Sequence, residues 1–310
     1  MIIVICAMCT QVVAASAVEL RNDESAATMT VAIDDRPVVA YQYGPKFALP
    51  HLYPVASPSG HELTVQHPDL YPHHRSIWIA DRVQLAGGPD VDFYHCWKNY
   101  RQADKPESGF KHFIRHQRFS SVQAEGNGAR INADLKWIVN ENQPVLDERR
   151  TMRVIAFENG EYRLDLSWQL TASYGNVKFS SDAVHYAWPY VRMQPRFSGE
   201  QGGTIVNSTG AKGQAGTNGK VAEWVDYSYK IDGNSEGLAL FIDRRDGPCT
   251  WLTREYGTFG PRRPEKFNGT QFTLVNGESL SGRAAILVHR GDATNGRVAQ
   301  RYRDYVSESQ

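Results

Sequence analysis

Histidines are concentrated in one short part of the sequence. Five of the ten lie within residues 51–74, and His95 follows soon after. Imidazole transfers protons near neutral pH, ligates metal ions and hydrogen-bonds to polar ligands. Any single histidine could equally hold a loop against a sheet. So many together, with Asp81, Asp90 and Asp92 close behind, predict a polar functional site.

The densest histidine segment spans residues 67–75. His73 and His74 are the candidate acid–base catalysts, and Arg75 is a candidate for substrate binding. Adjacent side chains on extended backbone point to opposite sides, so His73 and His74 face one pocket only if the chain bends there. A cleft histidine adds little to a core. We therefore expect His74→Ala to abolish function and to leave the melting temperature within a few degrees. No cofactor is identified; a divalent metal would find candidate ligands in His67 and His95.

Residues far along the chain supply further candidates. Arg254 and Tyr256 alternate within residues 251–257, where they could grip a carboxylate or sugar hydroxyls, or form a surface ion pair with an aromatic cover. Asp226 could orient a histidine or act as a base. We expect these residues to converge with His73, His74 and Arg75. The candidates outside the histidine-rich segment are Arg192, Trp224 and Arg254 with Tyr256 for substrate binding, and Asp226 for catalysis.

Apolar residues alternate with a period of two through most of the chain, which predicts half-buried antiparallel strands. Examples are residues 130–140, 161–172, 237–243 and 281–289, separated by Gly, Asn and Asp turn signals. Only residues 293–306 have a helical stripe. Because no repeat and no alternation of strands with helices is present, the predicted fold is a large antiparallel β-sandwich with a short C-terminal helix. Residues 43–78 and 194–223 interrupt the pattern and are predicted functional loops.

The charge balance limits the classes of binding partner, and the N-terminal residues predict the compartment. Lys and Arg together number 34, as do Asp and Glu, and this balance argues against a nucleic-acid or anionic-membrane surface. Residues 1–17 read as a signal peptide cleaved after Ala17, which predicts a periplasmic or secreted protein and one domain over residues 18–310. No integral membrane segment is predicted in the mature chain. Cys96 and Cys249 could form a disulfide or remain two thiols.

Several motifs resemble those of one bacterial family. They lie in residues 52–60 and 72–78, then 203–210, 222–227 and 251–257. On these motifs the chain is similar to the PmoA-like family of uncharacterised exported proteins, often labelled "methane oxygenase". The resemblance implies a mutarotase-like supersandwich or a jelly roll, and carbohydrate metabolism. Methane oxidation of the membrane-bound kind is not implied, because it needs several transmembrane helices.

These observations favour an exported carbohydrate-active protein. The first hypothesis is an enzyme that acts on a sugar or glycoside by histidine-assisted acid–base chemistry, through hydrolysis, elimination or epimerisation. The second is a saccharide-binding β-sandwich without activity. The third is a metal-dependent oxygenase or hydrolase with histidine ligands.

Overall fold

Strands dominate the chain from end to end. The computed structural model describes residues 16–95, 109–180, 186–263, 267 and 271–308. The predicted signal peptide lies almost wholly outside these residues. Cys96 lies outside them too, so both expectations for the two cysteines, a disulfide or two thiols, stay open; Cys249 itself is buried.

The strands form three sheets in which neighbours pair antiparallel, as the sequence predicted. The first sheet has the order β1 (Val18–Asp23), β2 (Thr28–Ile33), β3 (Arg36–Gln42), β4 (His51–Val55), β5 (Ile77–Trp78), β13 (Tyr190–Arg192), β18 (Thr258–Pro261), β17 (Trp251–Thr253). The second has the order β14 (Thr204–Asn207), β15 (Trp224–Ile231), β16 (Asn234–Ile242), β20 (Ser279–Arg290), β11 (Tyr162–Thr171), β10 (Gln143–Ala156), β9 (Gly128–Val139), β8 (Phe113–Glu125). A small third sheet has the order β19 (Phe272–Leu274), β12 (Val177–Phe179), β6 (Arg82–Leu85), β7 (Asp90–Asp92). The helices are α1 (Gly213–Thr217) and α2 (Val298–Glu308).

The two large sheets pack face to face. Tyr162 on the second sheet donates its hydroxyl to the backbone carbonyls of Val38 and Ala56 on the first, at 3.1 and 2.9 Å. Alternate residues of β9 and β11 are buried, in the period of two that the sequence predicted. The fold is therefore the predicted antiparallel β-sandwich.

The second sheet is covered on its outer face as well. Helix α2 buries the predicted stripe, which includes Val298, Tyr302 and Tyr305, and these residues pack against Phe241 and Leu287 of the sheet. The helix begins five residues later than the predicted segment, because residues 293–297 form turns. Strands β16 and β20 are consequently buried on both faces. Among the described residues, no helix is long and apolar enough to cross a membrane.

Three adjacent strands of the first sheet bring distant parts of the chain to one end of that sheet. The backbone N–H of Arg192, the last residue of β13, donates to the carbonyl of Ser76, just before β5, at 2.7 Å. Arg192 is also paired with Thr258, the first residue of β18. Because the strands are antiparallel, the start of β5, the end of β13 and the start of β18 lie side by side at the same end of the sheet. Side chains on these three ends are neighbours.

Candidate functional site

The histidine-rich segment turns sharply before it enters β5. The N–H of Tyr71 donates to the Pro68 carbonyl and the N–H of His74 donates to the Tyr71 carbonyl, each at 2.9 Å. The chain therefore bends at the point where an extended segment would have separated His73 from His74. Their ring centroids lie 4.5 Å apart, so both side chains belong to one site.

His74 lies beneath this site and does not face solvent. It is 1% exposed; its Nε2 lies 2.8 Å from the Tyr94 hydroxyl and its Nδ1 3.4 Å from the Thr258 hydroxyl. Burial, reinforced by positive charge on His73 and Arg192, lowers the pKa of His74 to about 2. The imidazole is therefore neutral and holds Tyr94 in place. This corrects the expected result for His74→Ala: loss of a buried hydrogen-bond partner costs about 1–3 kcal/mol of stability as well.

Tyrosine rings form the wall of the site. Tyr71 stacks on His74 at 5.0 Å and on Tyr256 at 4.6 Å between ring centroids. Tyr71 and Tyr256 are half-buried, whereas Tyr94 is buried. Together with Arg192 these residues form what we call the sheet-end cluster: Tyr71, His74, Tyr94, Arg192 and Tyr256.

Arg192 is a buried cation to which the described residues bring no acidic partner. Its guanidinium carbon lies 4.9 Å from the centroid of the Tyr256 ring and 5.5 Å from that of Tyr71. Its Nε and Nη1 are buried and donate no hydrogen bond to any described residue. Burial lowers the pKa of Arg192, against the opposing effect of the surrounding tyrosines. The guanidinium nevertheless stays charged at neutral pH, because arginine does not lose its proton in proteins. Cation–π contacts are thus its main compensation for desolvation.

A second histidine at the site is oriented by a carboxylate. His95 Nδ1 lies 2.6 Å from Asp92 Oδ2, and the His95 ring centroid lies 4.4 Å from that of His73. Burial alone would raise the pKa of Asp92, but hydrogen bonds from His95, Tyr186 and the Tyr94 N–H lower it below its ordinary value. A carboxylate that holds the Nδ1 proton leaves Nε2 as the basic nitrogen. The pair is therefore suited to proton transfer.

Arg254 and Tyr256 reach the cluster from the turn between β17 and β18. The turn is closed by Arg254 N–H donating to the Thr258 carbonyl at 2.9 Å. Arg254 Nη1 donates to Asn218 Oδ1 at 2.7 Å. Burial raises the pKa of Tyr256, and the charges of Arg254 and Arg192 oppose that rise. Glu255 points away and accepts a hydrogen bond from the N–H of Gln214 at 2.6 Å, as the predicted alternation requires.

Arg75 and His67 lie on the far side of the histidine-rich segment. Arg75 is fully buried, and its Nη1 lies 2.6 Å from His67 Nε2. Burial and the Arg75 charge lower the pKa of His67 to about 4. The structure thus assigns Arg75 to the support of the segment, contrary to its predicted place in the pocket. The guanidinium also occupies the His67 nitrogen that a metal would need. No group of three or more His, Cys, Asp or Glu side chains within the described part of the chain could hold a metal ion.

Two predicted residues lie on the wrong face of the second sheet. Asp226 is fully buried and its Oδ2 lies 2.7 Å from Nε2 of His289, which stands on β20, beyond the intervening strand β16. Trp224 packs among the residues that contact α2. The opposite face of β15 carries Tyr227, whose hydroxyl donates to the Arg254 carbonyl at 3.0 Å. The expected convergence of Asp226 with His74 is therefore wrong, and Trp224 does not lie among the predicted substrate-binding residues, because both side chains point away from the first sheet.

Sequence reasoning overlooked Tyr71 and Tyr94 as members of the site, and it treated His95 only as a metal candidate. One signal was available. Asp92 and His95 stand three residues apart, next to Tyr94, and a carboxylate at this spacing in a turn can reach the histidine ring. No comparable signal marks Tyr71, whose position depends on the turn that precedes His74.

Comparison with solved structures finds only distant likeness. The α-galactosidase AgaA of Geobacillus stearothermophilus, a GH36 enzyme, is 12% identical; the match covers 88% of this chain and 40% of that one, with a TM-score of 0.36. The galactose 1-epimerase of Lactobacillus acidophilus is 9% identical over 88% of this chain and 99% of that one, with a TM-score of 0.36. The polysaccharide lyase BACCELL_00875 is 12% identical over 90% of this chain and 33% of that one, with a TM-score of 0.35.

These likenesses are too weak to bear on activity. The chain spans about 40% of the length of the α-galactosidase it matches. A comparison with curated proteins finds no match. The fold assignment therefore rests on the sheets described above, and the site has to be interpreted from its own residues.

One protein family does match along most of the chain. Its model, described as a family of unknown function, aligns with residues 28–303. The resemblance to the PmoA-like family is therefore wrong. The motifs behind it are short and rich in Pro, Gly and His, and they serve local turns such as the one at Ser76, where φ is +80°. The chain belongs to the family of unknown function DUF6807.

Proposed function

We propose that this chain is an enzyme that acts on a saccharide by acid–base chemistry at the sheet-end cluster and the adjoining His95–Asp92 pair, with His95 as the proton-transferring group. The observation that carries the proposal is the 2.6 Å hydrogen bond between His95 and Asp92 beside His73. A histidine held by a carboxylate is the usual arrangement for a general base near neutral pH. His73 faces it at 4.4 Å between ring centroids and is the second candidate for proton transfer.

The walls of the cluster suit a hydroxylated ring. Tyr71 and Tyr256 offer half-buried aromatic surface, on which the apolar face of a sugar can pack. Arg254 and His73 contribute hydrogen-bonding groups at the same place. Sites that bind small ligands typically combine such apolar walls with a few placed polar groups. These features support a saccharide as the ligand.

The residues favour elimination or epimerisation over hydrolysis by two carboxylates. Most glycoside hydrolases use a pair of Asp or Glu side chains across the scissile bond. Asp92 is the one carboxylate that the described residues bring to His95, and it is already hydrogen-bonded there. Elimination and epimerisation instead begin with removal of a proton from carbon, for which a histidine base is sufficient.

Binding without catalysis is the second candidate function. The observation in its favour is the burial of His74, whose pKa of about 2 keeps it from exchanging protons at neutral pH. In that case the aromatic wall and Arg192 would hold a saccharide that leaves unchanged. The metal-dependent alternative has no comparable observation behind it.

The experiment is depletion of a panel of neutral and acidic oligosaccharides, followed by chromatography. We expect the wild-type protein to consume at least one of them, and His95→Gln to reduce the rate about a hundredfold or more. His61→Gln is the matched control, because His61 also faces a carboxylate, at 3.6 Å from Asp232, but outside the cluster. Binding without consumption would favour the second candidate. Equal rates for wild type and His95→Gln would refute the role of His95.

Export is part of the proposal. The small residues Ala15, Ser16 and Ala17 follow an apolar stretch in the sequence, which is typical of a cleaved signal peptide. We expect protein produced with its full N-terminus in a bacterial host to begin at Val18 in the periplasm. Intact mass measurement tests this, and a cytoplasmic protein that retains residues 1–17 would contradict it.

A further inference from the structure

The Arg192 side chain lacks the partner that a buried guanidinium normally has. It is 5% exposed, and no carboxylate of the described residues lies within ion-pair distance of it. Nε and Nη1 have no hydrogen-bond acceptor. Buried charges in proteins are ordinarily paired, because an unpaired one costs several kilocalories per mole. A cation left in this state at a candidate binding site is explained if the missing anion arrives with the ligand.

We propose that Arg192 binds the carboxylate of a uronic acid residue, so that the substrate is an acidic saccharide. This rests on the proposed function of the sheet-end cluster. Nε–H and the Nη1–H groups are charged donors, each of which can hydrogen-bond to an oxygen of a carboxylate. They are also the two nitrogens for which the described residues supply no acceptor.

The surroundings of Arg192 favour an anion electrostatically. Arg254 and Arg192 both act on the hydroxyls of Tyr94 and Tyr256, so two cations flank the same aromatic wall. Glu255 stands between Arg254 and Tyr256 in the sequence, but its carboxylate is turned away and binds the N–H of Gln214. Tyr256 stands on a turn and is half-buried. It is the side chain that a ligand would displace to reach Nη1.

A bound carboxylate also gives the neighbouring His95–Asp92 pair a proton to remove. When Arg192 neutralises the carboxylate, the hydrogen on the adjacent carbon becomes more acidic. His95 takes that proton, the released electron pair forms a carbon–carbon double bond, and the bond from the next carbon to the glycosidic oxygen breaks. The leaving oxygen takes a proton from water or a tyrosine hydroxyl. This elimination balances without an oxidant, a reductant or a further co-reactant.

The test compares an oligogalacturonate with its fully methyl-esterified form, which has the same sugar and no charge. Titration calorimetry gives the dissociation constant of each for the wild-type protein, Arg192→Gln and Arg192→Lys. We expect the wild type to bind the acid at least about tenfold more tightly, because a charge-assisted hydrogen bond has that effect. Arg192→Gln should lose the preference and Arg192→Lys should recover part of it. Arg196→Gln is the control, since Arg196 is exposed and stands four residues away.

Each outcome decides a different claim. Equal binding of acid and ester by the wild type overturns the inference, and that comparison holds even if Arg192→Gln does not fold. The inference is also overturned if a neutral oligosaccharide binds as tightly as the acid once it carries a sulfate ester, because the site would then select any anion. Consumption of neutral sugars with no preference for acids refutes the inference and leaves the proposed function intact. Tight binding of the acid without consumption supports the inference and refutes the enzyme.

Discussion

At the scale of residues, the same side-chain types serve opposite purposes in two places. His95 and Asp92 meet at the rim of the site, whereas His289 and Asp226 are fully buried between the second sheet and its C-terminal cover. Burial alone would lower the pKa of His289, but the charge and hydrogen bond of Asp226 raise it above its ordinary value. Asp92 and His95 stand three residues apart in the sequence, whereas Asp226 and His289 are 63 residues apart, so a sequence pattern can indicate the first pair and not the second.

Replacement of Asp226 tests its structural role. We expect Asp226→Asn to lower the free energy of unfolding by about 3 kcal/mol, because it breaks a buried pair and leaves His289 without its counter-charge. The affinity for saccharide should not change. Denaturant unfolding and titration of the same sample measure both. Asp232→Asn, at an exposed turn residue with a positive φ that Asn tolerates, is the control. If Asp226→Asn kept the stability of the wild type and lost saccharide binding, Asp226 would have a role in binding and not in structure.

At the scale of elements, the turn between β17 and β18 positions two groups of the cluster. Gly257 has φ +93°, and a Cβ there would lie 3.3 Å from the Met193 Cβ and 3.4 Å from Arg192 Nη1. The glycine therefore allows the turn to close directly over the guanidinium. A side chain at this position would act on the site through both backbone strain and contact.

Two glycine substitutions separate the effect of backbone strain from the effect of contact between the added methyl group and its neighbours. Gly257→Ala should weaken saccharide binding about tenfold or more, because the turn and Arg192 both have to shift. Gly277→Ala has a similar φ of +84° with no atom within 4 Å of the added Cβ, so it should cost about 1 kcal/mol of stability and leave binding unchanged. Dissociation constants and melting temperatures of the two variants provide the comparison. Equal effects on binding would mean that the turn does not position the site.

The elements also explain how far the sequence could predict the site. Arg254 and Tyr256 reach the cluster and Glu255 turns away to Gln214, as the period of two predicted, although these residues form the turn between β17 and β18 and not a strand. In β15 the same period grouped Trp224 with Asp226, but it could not say which face the pair occupies, since residues 224–228 are all buried. Hydropathy distinguishes faces only where one of them meets solvent. The turn at residues 68–74, which brings the side chains of His73 and His74 into one site, is closed by hydrogen bonds within the segment itself, and alternation along an extended chain does not predict it.

At the scale of the whole molecule, neutral buried histidines make stability depend on pH. Burial lowers the pKa of His51 to about 3, His67 to about 4, His74 to about 2, and His112 and His116 to about 4. The unfolded chain binds protons at these histidines once the pH falls below their ordinary value of 6.5. Their contribution to stability is therefore complete above pH 6.5 and is lost as the pH falls toward the folded values.

We accordingly expect the free energy of unfolding to decrease steadily from pH 6.5 to pH 4.5. His51→Gln should reduce that slope by up to about 1.4 kcal/mol per pH unit, the effect of one proton. His61→Gln, at a partly exposed position, should keep the wild-type slope. Denaturant titrations at a series of pH values measure this. A flat profile over the range would show that the buried histidines do not remain neutral in the fold. His289, whose pKa is raised, contributes in the opposite sense, and its share is lost above pH 6.5.

The position of a bound saccharide is the most direct test of where this protein acts. A cavity of about 490 Å³ lies elsewhere, lined by Trp224, Lys212 and Arg297 on the outer face of the second sheet, and it is the obvious competitor. A crystal structure of the wild-type protein with an oligogalacturonate discriminates between the two places. We predict density at the sheet-end cluster, with a carboxylate within hydrogen-bond distance of the Arg192 guanidinium. Density in the Trp224 cavity, with the cluster unoccupied, would contradict the assignment.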